Sequence, residues 1–228
     1  MIKNGIVYIT FVNDKEDVRE INRINELVHS VNSVRSIHKD IDITLFTNTD
    51  IHINGINKII KVPITKSRVK QDYLYDSPYK NTLYLDCDTS IVNPIDDVFS
   101  LMSRFDLAAT QDIIRKDEAK SKLYPAYASI PSSFPEYGGG VIVFSKSKSV
   151  EMFFDVWRRN FEEWFKLTGE VRDQPSFRVS LWQCYNLKLH TLPPEFNIRS
   201  KKYHNIVPKI YHSHNMTESS IKGGNIWI

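Results

Sequence analysis

Cysteine is nearly absent: Cys87 and Cys184 are the only two in 228 residues. Two thiols make no disulfide framework, and no Cys/His cluster has zinc-site spacing, so a reducing, cytoplasmic setting without structural zinc is expected. No stretch approaches the roughly 18 to 20 apolar residues of a membrane span. Residues 1–10 lack a charged segment ahead of a long apolar run, so no signal peptide is expected. Neither sign of charge dominates. Thirty Lys and Arg against 27 Asp and Glu leave a net charge of +3. That balance is too weak to argue for nucleic acid and suits a small polyanionic ligand equally well. Repeats, low-complexity tracts and linkers are missing too. With 41% hydrophobic and 25% charged residues, the chain reads as one soluble globular domain over residues 1–228.

What is present alternates strand-like and helix-like runs. Ile6 to Phe11 is near-continuously apolar, as in a strand buried on both faces. Asp14 is expected to cap a helix from Lys15 to about His38, with Glu16 and Asp17 in its first turn and Val18, Ile21, Ile24, Val28 and Val31 on its inner face. Ile41 to Thr47 and Lys58 to Val62 read as further strands. This order suggests an open α/β sheet with ligands at the carboxyl ends of its strands. Thr65 to Tyr79 is polar, basic and aromatic (Lys66, Arg68, Lys70, Tyr73, Tyr75) and is expected to contain a helix. Asp96-Asp97 reads as a helix start, and Leu107 to Thr110 as a strand. Residues 112–136, with Pro125, Pro131 and Pro135, read as a long functional or mobile loop. Gly138-Gly139-Gly140 is expected to open the strand Val141 to Phe144, either as a tight turn or to let the backbone approach a ligand. Val150 to Phe165 is the clearest helix, its aromatic face, Phe165 included, read as core. Arg172-Asp173-Gln174-Pro175 leads to an apolar segment, Phe177 to Trp182. Lys188 to Leu192 reads as a strand, Pro193 to Asn197 as a rigid turn, and Ile206 to Tyr211 as the last strand, ending in His212-Ser213-His214.

The organising stretch is Thr82 to Val92. A buried strand, Thr82 to Asp86, ends in Asp86-Cys87-Asp88. Side chains two apart on a strand share a face, so the two carboxylates converge and Cys87 turns away into the core. Two carboxylates on one edge repel unless a cation lies between them, and a hard divalent ion that also bridges to phosphate is the natural partner. An Asp-rich turn is the plainer alternative.

The ordered set of motifs resembles the GT-A fold glycosyltransferases, most closely the glycogenin-like, family 8 group with its Asp-x-Asp motif. The resemblance runs from Ile6 to about His214. It rests on Thr10 and Asn13 at the end of the first strand, Lys70 sixteen residues before Asp86, Leu-Asp86-Cys-Asp88, Gly140-Val-Ile-Val-Phe, Asp173-Gln174, Leu192-Pro-Pro-Glu-Phe196-Asn197 and His212. It implies a Rossmann-like, mixed but mostly parallel sheet flanked by helices, with a nucleotide-binding half at about 1–110 and a sugar and acceptor half at about 111–228. It implies transfer of a sugar from a nucleoside diphosphate, a UDP-sugar, to a hydroxyl of a glycan, protein or small molecule, with retention. Mn²⁺, or Mg²⁺, would be held by Asp86, Asp88 and His212, with His214 the alternative to His212. Thr10, Phe11 and Asn13 match the base and ribose site, and Cys87, Gly139 and Gly140 line the donor site. Lys70 reaches the donor, and Asp173 and Gln174 lie beside the transferred sugar, Asp173 at the reaction centre. The chain departs from the family at Gly138-Gly139, where Asn-Ser or Asn-Ala is usual. The basic residue expected soon after His212 is out of register, and Lys222 is only a candidate to replace it.

Two other readings compete. Strand, Asp-x-Asp, Thr89-Ser90 also matches the first motif of haloacid-dehalogenase-type phosphatases, with Asp86 as nucleophile and Asp88 as general acid. That motif normally opens its domain, whereas some 80 residues precede it here. The third reading is a non-catalytic protein that binds sugar nucleotides or glycans.

Overall fold

The computed structural model describes residues 2–13, 17–63, 70–112, 123–199 and 206–214. The expectations for Asp14, Lys15 and Glu16, for Lys66 and Arg68, for much of the 112–136 loop and for Lys222 lie outside them. Nine strands are described: β1 (Ile2–Ile9), β2 (Asp42–Thr47), β3 (Lys58–Lys61), β4 (Tyr79–Leu85), β5 (Thr89–Ile91), β6 (Leu107–Gln111), β7 (Tyr137–Ser145), β8 (Leu189–Leu192) and β9 (Ile210–His212). The described α-helices are α1 (Val18–Ile37), α2 (Lys70–Tyr73), α3 (Pro125–Ala128), α4 (Lys148–Thr168) and α5 (Gln174–Gln183). Seven strands form one sheet in the order β3-β2-β1-β4-β7-β6-β8. Only β7 runs against the rest, antiparallel to both β4 and β6. A mixed, mostly parallel sheet flanked by helices is therefore what the chain forms.

The apolar runs are continuous because both faces of the sheet are covered. Successive residues go to opposite sides. Ile6, Tyr8, Leu83, Leu85, Val141 and Val143 pack toward α1, while Val7, Tyr84, Ile142 and Phe144 pack toward Phe153, Phe154 and Trp157 of α4. Ser147 caps α4, and Gly169, with φ of 68°, ends it in the left-handed region that favours glycine. Phe165 is 46% exposed and does not join the core, because the buried stripe stops at Trp164 one turn before the cap.

Helix α1 differs from its sequence reading in start and in face. Its N-cap is Asp17, whose side chain accepts from the Arg19 amide at 2.8 Å. Val18 and Ile21 point to solvent, and the buried positions are Glu20, Leu27, Ser30, Val31 and Val34. Polar bonds set this register. Glu20 accepts from the Asn13 backbone N–H at 2.6 Å, and Ser30 shares hydrogen bonds with Tyr8 and Thr89. The three consecutive glycines lie inside β7 instead of forming a turn ahead of it. Asp96–Ser103 is 3-10 helix.

Because β7 is reversed, its amino end meets the carboxyl end of β4, and the Asp86 N–H donates to the Gly140 carbonyl at 2.8 Å. The small antiparallel pair β5–β9 sets Thr89 opposite His212. These two contacts place His212 and the glycines beside the turn that carries Asp86 and Asp88.

Candidate functional site

Strand β4 ends at Leu85, so Asp86, Cys87 and Asp88 form the turn into β5. The carboxylates nevertheless converge. His212 Nε2 is 3.1 Å from Asp88 Oδ1 and 3.7 Å from Asp86 Oδ2. One ligand atom from each of the three residues lies within 4.8 Å of the others. Two carboxylate oxygens and an imidazole nitrogen form a donor set suited to a divalent ion, so these residues fit a metal. The other ring nitrogen, Nδ1, is 2.8 Å from Asn197 Oδ1. An amide oxygen only accepts, so Nδ1 carries the proton and Nε2 is turned to the carboxylates. Asn197 is held in turn by its bond to Thr110. His214 is exposed and sits at the rim, its Nδ1 3.2 Å from Glu26 and 3.4 Å from Asp88. Of the two histidines, His212 is therefore the one buried among the aspartates.

Burial raises the Asp88 carboxyl, but the His212 ring beside it, with His214 and Arg199, outweighs burial and holds it well below the usual carboxylate range. Asp86 is lowered as well. Burial and Asp88 push it up, and Lys70, His212 and the Tyr84 hydroxyl more than reverse them. Cys87 turns away, its thiol 3.5 Å from the Ile9 carbonyl and packed in the core, where burial raises its pKa.

Lys70 joins this cluster to a second one. Its buried ammonium is 3.3 Å from Asp86 Oδ1, 3.0 Å from Asp173 Oδ2 and 2.7 Å from the Gly139 carbonyl. Asp173 stands at the N-cap position of α5 yet makes no capping bond, because its carboxylate goes to Lys70. The glycines make room for these side chains. A Cβ on Gly140 would run into the His212 ring and lie 2.8 Å from Asp86 Oδ2, and one on Gly139 would lie 3.2 Å from the Lys70 ammonium.

A cavity of about 810 Å³ opens over this floor, the size of a pocket for a nucleotide-sized ligand. The residues read from the sequence as metal ligands, donor-site and sugar-site residues, His214 included, all line it. Thr10 and Phe11 follow β1, and Thr10 Oγ1 is buried without a hydrogen-bond partner among the described residues. Asn13 donates its backbone and side-chain N–H groups to Glu20. Sequence reasoning missed Tyr84, whose hydroxyl donates to Asp86 at 2.5 Å. The signal was available, since Tyr84 lies two residues before Asp86 at the same strand end. It also missed Arg172, next to the Asp173-Gln174 motif, and Arg23, Glu26 and Arg199, which line the cavity from segments with no motif of their own.

Solved structures superpose on nearly the whole chain. The galactosyltransferase LgtC, solved with donor and acceptor sugar analogues, matches with TM-score 0.60 at 14% identity over 98% of this chain and 91% of its own. Mouse xyloside xylosyltransferase 1 matches with TM-score 0.62 at 10% identity over 100% of both chains.

The chain has the GT-A glycosyltransferase fold.

The glycosyltransferase GlyE of Streptococcus pneumoniae TIGR4 shares this GT-A fold with TM-score 0.58 at 15% identity, over 95% of this chain and 56% of its own. Sequence comparison is silent: no family model and no curated protein matches. At these identities the likeness is one of fold, so chemistry has to be argued from the site. No helix among the described residues is long and apolar enough to cross a membrane.

Proposed function

We propose that this protein is a retaining glycosyltransferase that moves a sugar from a UDP-sugar to an acceptor hydroxyl on a glycan, protein or small molecule. The observation that carries the reading is the convergence of Asp86, Asp88 and His212 on the floor of a nucleotide-sized cavity. In the reaction the bond from the anomeric carbon to the diphosphate oxygen breaks, and the diphosphate leaves with the electron pair. A bond from the acceptor oxygen to that carbon replaces it, and the acceptor's hydroxyl proton passes to the leaving diphosphate. Mn²⁺, or Mg²⁺, held by Asp86, Asp88 and His212 would supply Lewis-acid neutralisation of the leaving diphosphate. The protein's own groups do the rest. Thr10, Phe11 and Asn13 receive the base and ribose, with the unpartnered Thr10 hydroxyl available to the ligand. The Cys87 backbone and Gly139-Gly140 form the wall beside the diphosphate. Lys70 offsets the repulsion between Asp86 and Asp173 and brings positive charge to the donor. Asp173 and Gln174 lie against the sugar, where a carboxylate stabilises positive charge developing at the anomeric carbon. With only two cysteines in the chain, we place the protein in a reducing, cytoplasmic setting.

The phosphatase alternative fits the site poorly. It needs Asp86 as a free nucleophile, whereas Oδ1 is engaged by Tyr84 and Lys70 and Oδ2 faces His212. A panel of UDP-sugars with Mn²⁺, read as release of UDP, tests the reading. Slow UDP release that stops in EDTA is expected. Turnover of p-nitrophenyl phosphate would establish the phosphatase instead, and binding of UDP without turnover of any UDP-sugar would establish the non-catalytic protein.

A further inference from the structure

The hydroxyl of Tyr84 reaches the carboxylate floor of the cavity, and the reaction outlined above gives it no part. Tyr84 is 3% exposed and lines the cavity. It lies two residues before Asp86 at the end of β4, so the strand directs both side chains to the same side. Its hydroxyl donates to Asp86 Oδ1 at 2.5 Å. Lys70 donates to the same oxygen at 3.3 Å, and its ammonium lies 5.3 Å from the centre of the Tyr84 ring.

A carboxylate oxygen offers two lone pairs. Tyr84 and Lys70 take both on Oδ1, so Oδ2 is the oxygen left for a cation. Oδ2 is also the one turned to the His212 ring, 3.7 Å from Nε2. Gly140 makes room for it there, since a Cβ on that residue would lie 2.8 Å from Oδ2. Held in this way, Asp86 meets an ion through one oxygen, and more of the ion's six or so positions stay open to diphosphate oxygens. Satisfying a phenol in this sheet does not itself call for a carboxylate. At the other end of β4, the buried Tyr79 hydroxyl is met by the neutral Thr44 hydroxyl at 2.7 Å.

We propose that Tyr84 is a positioning residue for the metal site: its hydroxyl, with Lys70, claims Oδ1 of Asp86 and so presents Oδ2 alone to a divalent cation. This rests on the metal reading of the function proposed above. Tyr84 acts through Asp86 and touches neither ion nor substrate. A donor of this kind orients a ligating carboxylate before the ion arrives, and removing one typically weakens metal binding by about 10- to 100-fold.

Direct Mn²⁺ binding tests this without any turnover. Tyr84→Phe removes the hydroxyl and keeps the ring that packs in the core and faces Lys70. Mn²⁺ is titrated into wild type and variant, with and without UDP, and the free ion is followed by its electron paramagnetic resonance signal. Affinity for Mn²⁺ is expected to fall about tenfold or more in Tyr84→Phe. Tyr79→Phe loses a buried hydroxyl from the other end of the same strand and should stay within twofold of wild type. An affinity within twofold of wild type in Tyr84→Phe overturns the proposal. So does an equal fall in Tyr79→Phe, because the loss would then act through the strand as a whole. If Tyr84→Phe does not fold, Asp86→Glu decides. It keeps the charge and carries the carboxylate one methylene beyond its place at the Tyr84 hydroxyl. A fall of about tenfold there supports the proposal, and an affinity within twofold of wild type overturns it. If the wild type binds Mn²⁺ neither alone nor with UDP, the metal reading fails and this proposal falls with it. Binding by the wild type with no loss in Tyr84→Phe overturns this proposal alone.

Discussion

Two acidic clusters meet across the cavity and are built on opposite plans. Around Asp86 and Asp88, two carboxylates share one imidazole, and the nearest lysine is divided between Asp86 and Asp173. Around Asp173 and Gln174, Asp173 has the closer contact with that shared lysine, and Glu136 is met by both Arg178 and Tyr127. The first cluster is electrostatically incomplete and gains most from an added cation. The second is complete in the protein alone. Damage to the first should therefore appear in ligand binding, and damage to the second in stability and turnover.

The largest expected effect is on the closed side. Arg178→Met removes the only guanidinium paired with buried Glu136 among the described residues and leaves three carbonyls without their donor. Breaking a buried pair by removing one partner costs about 3 to 5 kcal/mol, readable in urea unfolding. A loss below about 1 kcal/mol would mean that this cluster is no more self-contained than the other. Next is Asp173→Asn, which keeps the shape and removes the charge. It should lower kcat for UDP-sugar turnover by about 10²-fold, roughly 2.7 kcal/mol of barrier, with Mn²⁺-dependent UDP affinity within a few fold. Lost UDP affinity would move Asp173 into the metal cluster, with Lys70 as the link.

Smaller effects come from the open side without ligand. Both aspartates have folded-state pKa values below the ordinary carboxylate range. A depressed pKa gives stability that is fully present above the unfolded-state value and lost as pH falls through the folded-state value. In EDTA, then, this contribution is constant from pH 8 to about 5 and declines below about 4. Asp88→Asn should lose less melting temperature than wild type over that acid range. An equal acid loss in both would remove Asp88 from the balance.

Legibility in the sequence follows the same division. The open cluster was readable because its parts have fixed local spacing: Asp86 and Asp88 two apart at a strand end, and His212 at the end of the last strand. The sheet was readable because its strands are apolar on both faces. The face of α1 was not, since an apolar stripe cannot show that Glu20 turns inward to bind Asn13 and leaves Val18 and Ile21 in water. The glycines read as the opening of a strand, whereas they lie within β7, where the His212 ring and the Lys70 ammonium crowd the places a Cβ would take on Gly140 and Gly139. Glu136 and Arg178 carried no signal, because a single charge, whether in the proline-rich segment before β7 or inside an apolar run, looks solvated until its partner from another element is known.

The central claim is that Asp86, Asp88 and His212 are completed by a divalent cation that receives a nucleoside diphosphate. Calorimetric titration of UDP into wild-type protein and Asp88→Asn, each with Mn²⁺ and with EDTA, tests it most directly. For wild type, affinity should be at least about 10²-fold higher with Mn²⁺ than with EDTA, about 2.7 kcal/mol. Asp88→Asn, with the same far-UV spectrum, should show almost none of this difference. Equal UDP affinity in Mn²⁺ and EDTA for the wild type would contradict the account.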